Sequence, residues 1–114
     1  MGSTWQQERV AGKKSEQTAF DELKSELLYN FGHDPYAGHL GLKDYLIVVS
    51  PESKSENIEK RLGEYMDDGR FDKWDGAGCM ELKGAAYTKW RKRNPAMKGK
   101  KGIRCFIFFG WCPE

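Results

Sequence analysis

With 114 residues, 39% of them hydrophobic and four Trp, five Tyr and six Phe among them, the chain has material for one core and is too short for two ordinary domains. The longest apolar run, Cys105 to Phe109, is far below the roughly 20 residues that span a bilayer. Residues 1–14 carry no apolar signal segment, so no membrane partner is expected and the location expected is the cytoplasm. The net charge of +2 conceals a segregation: residues 1–81 hold 10 Lys/Arg and 16 Asp/Glu, whereas residues 82–114 hold 9 Lys/Arg and a single acid, Glu114. Such an asymmetry predicts a dipolar surface or a basic segment with a partner of its own.

In chain order, Ser3 to Val10 alternates in character and predicts a short strand. Ser15 is suited to cap a helix, with Glu16 in the first turn where the helix dipole favours an anion. Phe20, Leu23, Leu27, Leu28 and Phe31 then recur at helical spacing and form one apolar stripe, ended by Gly32. Residues 33–41, containing Asp34-Pro35 and two glycines, read as a loop. It is expected to hold a glycine at positive φ, at Gly38 or Gly41, and to present Tyr36 as a contact residue.

Asp44 to Val49 is rich in β-branched and aromatic residues and predicts a buried strand near the centre of a sheet. A second helix, starting near Pro51 or Ser53, would bury Ile58, Leu62 and Tyr65 and stop at Asp67-Asp68-Gly69. Phe71 and Trp74 lie in a connector, and Cys79 to Leu82 predicts a third strand. Residues 83–102 read as a basic loop: Ala85, Ala86, Thr88 and Lys89 would support a turn or two of helix, but Pro95, Gly99 and Gly102 interrupt any longer one. Ile103 to Trp111 is the strongest strand signal. The whole predicts an α+β fold in one domain spanning 1–114. Two helices would pack on one face of a mainly antiparallel four-stranded sheet, in the order β-α-β-α-β-β, with Leu23, Leu27, Ile47, Val49, Leu62, Phe106 and Phe108 in a single core.

Few constellations suggest chemistry. His33, Asp34 and His39 share a loop, but a metal site needs three or four ligands and the chain has two histidines; a structural loop is the stronger reading. Cys79, Cys105 and Cys112 form no C-x-x-C pair and are odd in number, so neither a disulfide framework nor a thiol nucleophile is expected. No catalytic residue, metal or cofactor is therefore assigned.

The basic stretch is the sharpest signal. Lys89, Trp90, Arg91, Lys92, Arg93, Lys98, Lys100 and Lys101 make a candidate partner-binding set, joined by Tyr36. Lysine and arginine neutralise phosphates, and Trp90 or Tyr87 would stack on a base; the same charges would answer an acidic protein surface or remain solvated.

Asp34-Pro35-Tyr36-Ala37-Gly38, Lys73-Trp74-Asp75-Gly76-Ala77-Gly78-Cys79 and Phe108-Phe109-Gly110-Trp111 together resemble small phage and prophage proteins of unknown function. Those carry a Tyr-x-Gly loop, a Lys-Trp-Gly-type connector and a terminal Phe-Phe-Gly-Trp strand. Asp75 stands where that pattern has glycine, and the basic insert at 89–101 is longer. The resemblance implies a mobile-element origin and action inside a host cell. The expected function is that of a non-enzymatic binding protein acting on a host or viral macromolecule, the expected partner being a host or phage protein with an acidic surface, with inhibition of a host defence system as one such role. The alternative is a nucleic-acid-binding domain using the basic loop 89–101. The sequence leaves the oligomeric state open.

Overall fold

The computed structural model describes residues 2–97 and 99–114. These belong to the α+β class, with three α-helices and a four-stranded mixed sheet. In chain order they are β1 (Ser3–Gly12), α1 (Glu16–Phe31), β2 (Leu46–Val48), α2 (Ser55–Met66), β3 (Ala77–Leu82), α3 (Gly84–Arg93) and β4 (Arg104–Pro113), with short 3-10 turns at Leu40–Leu42 and Pro95–Met97.

The sheet order is β1-β4-β3-β2. β4 pairs antiparallel with both β1 and β3, whereas β2 runs parallel to β3. The parallel pair requires a crossover, which α2 supplies. The expectation of a mainly antiparallel sheet in the order β-α-β-α-β-β is corrected in three respects. The sheet is mixed, a third helix lies between β3 and β4, and the helices cover both faces rather than one.

The two-sided cover follows from the pleat. Along β4, Phe106, Phe108 and Cys112 pack with Ala19, Phe20, Leu23 and Leu27 of α1. The intervening Cys105, Ile107 and Phe109 pack with Ile58 and Leu62 of α2 and Ala86 of α3. Side chains alternate between faces in a strand, so a continuous apolar run from 105 to 109 reports burial on both sides. The single core expected from the sequence is accordingly two: Leu23, Leu27, Phe106 and Phe108 belong to one, and Ile47, Val49 and Leu62 to the other.

The same logic corrects β2. Its apolar run suggested a central strand, but it lies at the sheet edge and is three residues long. Leu46 faces the α1 side and Ile47 the α2 side, so an edge strand covered on both faces reads like a central one. Val48 remains exposed.

The caps on α1 match their sequence signals. Ser15 Oγ accepts from the Thr18 backbone N–H at 3.2 Å, and Gly32, with φ +89°, donates back to the Leu28 carbonyl. Phe31 falls off the buried stripe and is exposed. At the sheet centre Gly78 is required by close approach: a Cβ there would lie 2.2 Å from the Phe109 ring, its cross-strand partner. That ring stacks on Tyr65 at 5.1 Å and lies 5.0 Å from Phe71.

Candidate partner-binding surfaces

The segment expected to be a basic loop at 83–102 begins as a ten-residue helix, α3. Ala86 is buried and Tyr87 and Trp90 pack against the same core, an i, i+1, i+4 apolar edge on an otherwise polar helix. Its last turn holds Arg91, Lys92 and Arg93, where the helix dipole favours cations. Asn94 Nδ2 then donates to the Trp90 carbonyl at 2.8 Å, and Pro95 follows.

The structure divides the predicted set by role. Arg91 is a tether: one guanidinium nitrogen donates to the Met97 carbonyl at 2.5 Å and the Lys100 carbonyl at 2.8 Å, while the group lies 5.7 Å from the Tyr87 ring centre. Tyr87 donates to the Ile103 carbonyl at 2.7 Å and sits 5.9 Å from Trp90. Both rings sought as stacking platforms are thus occupied in packing. Lys89, Lys92, Arg93, Lys100 and Lys101 are exposed, and none forms an ion pair among the described residues, where Lys14, Arg61, Arg70, Lys83 and Arg104 do. Lys98 lies outside the described residues.

Two further cations join this end through the fold. Trp5 and Ala11 of β1 pack on the α2–α3 face, so the alternation turns Arg9 to that side. There it lines a depression of about 240 Å3 with Lys89, Trp90, Arg93 and Asn94, floored by Ile58, Leu82 and Ala86. Lys13 lines a neighbouring hollow with Lys100 and Lys101. Sequence reasoning missed both; the Lys13-Lys14 doublet was a faint signal, and nothing in the linear sequence marked Arg9.

Tyr36 is not part of this surface. Its loop meets the opposite end of the sheet, where Gly38, at φ +75°, lies against Thr4 and Glu114. That φ is the positive value expected for the loop. Tyr36 is 41% exposed and contacts the exposed Trp74 edge-on at 6.1 Å. Beside them a cavity of about 250 Å3 is lined by Pro35, Leu42, Lys43, Tyr45, Trp74 and Pro113, among others.

Two buried polar residues support that end. His39 is 5% exposed; its Nδ1 accepts from the Gly41 N–H at 3.0 Å, which leaves Nε2 to donate to the Gly32 carbonyl at 2.8 Å. It therefore holds the loop closed. Lys43 is 4% exposed and donates to the Asp72 carbonyl at 2.9 Å. Burial holds its pKa below the ordinary lysine value, with Cys112, Asp75 and Asp72 acting in the opposite sense. It fastens the connector that carries Trp74.

The three thiols are buried and free. Burial pushes Cys79 up to about 12 and Cys105 and Cys112 to about 11, so each stays protonated and behaves as a small apolar side chain. No helix among the described residues is long and apolar enough to cross a membrane. Comparison of the chain with protein-family models, curated proteins and solved structures finds no match.

Proposed function

We propose that the chain is a binding protein whose cationic end docks on an acidic surface of another protein. The observation that carries this reading is the division just described. Lys89, Lys92, Arg93, Lys100 and Lys101 are exposed without an ion pair among the described residues, while Tyr87 and Trp90 are committed to packing and hydrogen bonding. Single-stranded nucleic acid is held by charge together with exposed aromatic platforms, whereas an acidic protein surface is steered to exposed cations by charge complementarity. The resemblance to small phage and prophage proteins makes a host or viral protein the partner, an inhibitor of host defence being one role of this kind.

The test is to titrate the protein with polyglutamate and with single- and double-stranded DNA and RNA near physiological salt. The expected result is binding to polyglutamate that is lost in the triple variant Lys89→Glu/Lys92→Glu/Arg93→Glu, whose fold is retained because exposed charges contribute little to stability. Arg91 is left intact in this variant because it anchors the segment after α3. Binding to DNA or RNA with a steep salt dependence, lost in the same variant and without polyglutamate binding, would replace this reading with the nucleic-acid one.

A further inference from the structure

The hollows at the cationic end adjoin one another. The depression holding Arg9, Lys89 and Arg93 shares Arg9, Trp90 and Asn94 with a second one lined by Val10, Ala11 and Cys105. The second shares Ala11 with the third, which holds Lys13, Lys100 and Lys101. Together they follow the last four residues of β1, Arg9 to Gly12, with α3 and the segment after it as the far wall. Among the described residues six cations line this path against one acid, Glu59. Its floor is apolar, and on the β1 side it is bounded by Arg9 and Ala11, which face α2 and α3.

The opposite flank of β1, turned away from β4, is an open sheet edge. β1 is an outer strand of ten residues paired only with β4. In an antiparallel ladder alternate residues turn their N–H and C=O away from the partner strand. Among the described residues none of these outward groups of β1 is bonded to a loop or side chain. An exposed row of this kind is a template for an added strand, and the charges of Glu8 and Arg9 on it limit pairing with uncharged strands without blocking a chain of matching charge.

Resting on the cationic end as a protein-binding surface, we propose that the acidic partner is held as an extended segment. It adds to the outer edge of β1, and its acidic side chains on the α3 face lie beside Arg9 and Lys13 and reach toward Arg93 in the last turn of α3. The outward flank of α3, where Lys92 lies beside Thr88 and Pro95, is then outside the contact. This commits the partner to a chain with alternating acidic residues and free main-chain donors, and distinguishes it from a folded acidic surface laid across the helix.

A fluorescent alternating valine–glutamate peptide, and the same peptide N-methylated at every second residue, serve as probes against the full chain and two variants. N-methylation removes donors without altering charge. The expected outcome is binding of the first peptide, weakened about tenfold or more both by N-methylation and by Arg9→Glu/Lys13→Glu, with Lys92→Glu within about twofold of the parent. Circular dichroism confirms that each variant is folded. Equal binding of both peptides, with loss in Lys92→Glu but not in Arg9→Glu/Lys13→Glu, would overturn the strand-addition inference while leaving the acidic-partner reading standing. Failure of the full chain to bind either peptide or polyglutamate would overturn both.

Discussion

The two ends of β4 present contrasting surfaces. At its start, Arg104 pairs with Glu81 and Glu16 on the α1 face, and on the other side of the sheet Lys89, Lys92, Arg93, Lys100 and Lys101 form no ion pair among the described residues. About 24 Å away, by strand rise, Trp111 donates to the Met66 carbonyl and packs edge-on against Trp5. Trp74, Tyr36 and Tyr45 are exposed nearby, around the cavity above Lys43. One end offers charge, sensitive to salt; the other offers aromatic area, which is not. The contrast teaches that exposed charge and exposed aromatic area are kept apart along a single long strand.

The largest expected effect tests the scaffold that separates the ends. Leu27 is buried against Phe106 and Phe108, and Leu27→Ala should cost about 2–5 kcal/mol, read as a fall in denaturation midpoint. A variant with an unchanged midpoint would remove α1 from that core. Gly78→Ala comes next. Its Cβ would enter the Phe109 ring, and forced repacking of this kind costs about 1–3 kcal/mol.

Much of this scaffold is legible in the sequence, and the parts that are not share a cause. Ser15, the 20-23-27 stripe and Gly32 define α1 because their signals are local. The position of β2 and the division into two cores are non-local: a run such as Cys105 to Phe109 states that both faces are covered but not by which helix. α3 is legible only as a turn or two of helix, because its apolar edge is only Ala86, Tyr87 and Trp90 and the lysines and arginines around it read as loop. The candidate surface was legible in Lys89, Lys92, Arg93, Lys100 and Lys101. Arg91 is indistinguishable from them in composition, yet like Trp90 it is spent on structure. Tyr36 belongs to the other end, and Arg9 is brought in only by strand pairing.

Arg91→Ala sharpens the contrast at intermediate size. Losing its bonds to the Met97 and Lys100 carbonyls should cost about 1–2 kcal/mol. Amide exchange should quicken between Asn94 and Ile103 while residues 33–41 keep their protection; uniform quickening would show that the two ends are not independent. Acid provides a further test. Hydrogen bonding from Arg104 holds the Glu81 carboxyl below its ordinary value of 4.5. A depressed carboxylate stabilises the fold above its unfolded value, and that contribution is lost as the pH falls from about 4.5 through the lower folded value. Arg104→Met should therefore flatten the stability profile across that acid window. An unaltered profile would deny the pair its role.

The smallest expected effect is the most telling about function. Lys89→Ala/Lys92→Ala should shift stability by no more than about 0.5 kcal/mol, because neither side chain forms an ion pair among the described residues. Cations retained without structural benefit are available for a partner. The central claim is that this partner is acidic and meets the α3 end, and backbone amide NMR during a polyglutamate titration tests it directly. The account predicts shifts at Arg9, Lys13, Lys89, Arg93 and Lys100, reversed by added salt, with Tyr36, Tyr45 and Trp74 unmoved. Shifts confined to Tyr36, Tyr45 and Trp74, with the α3 end silent, would contradict it.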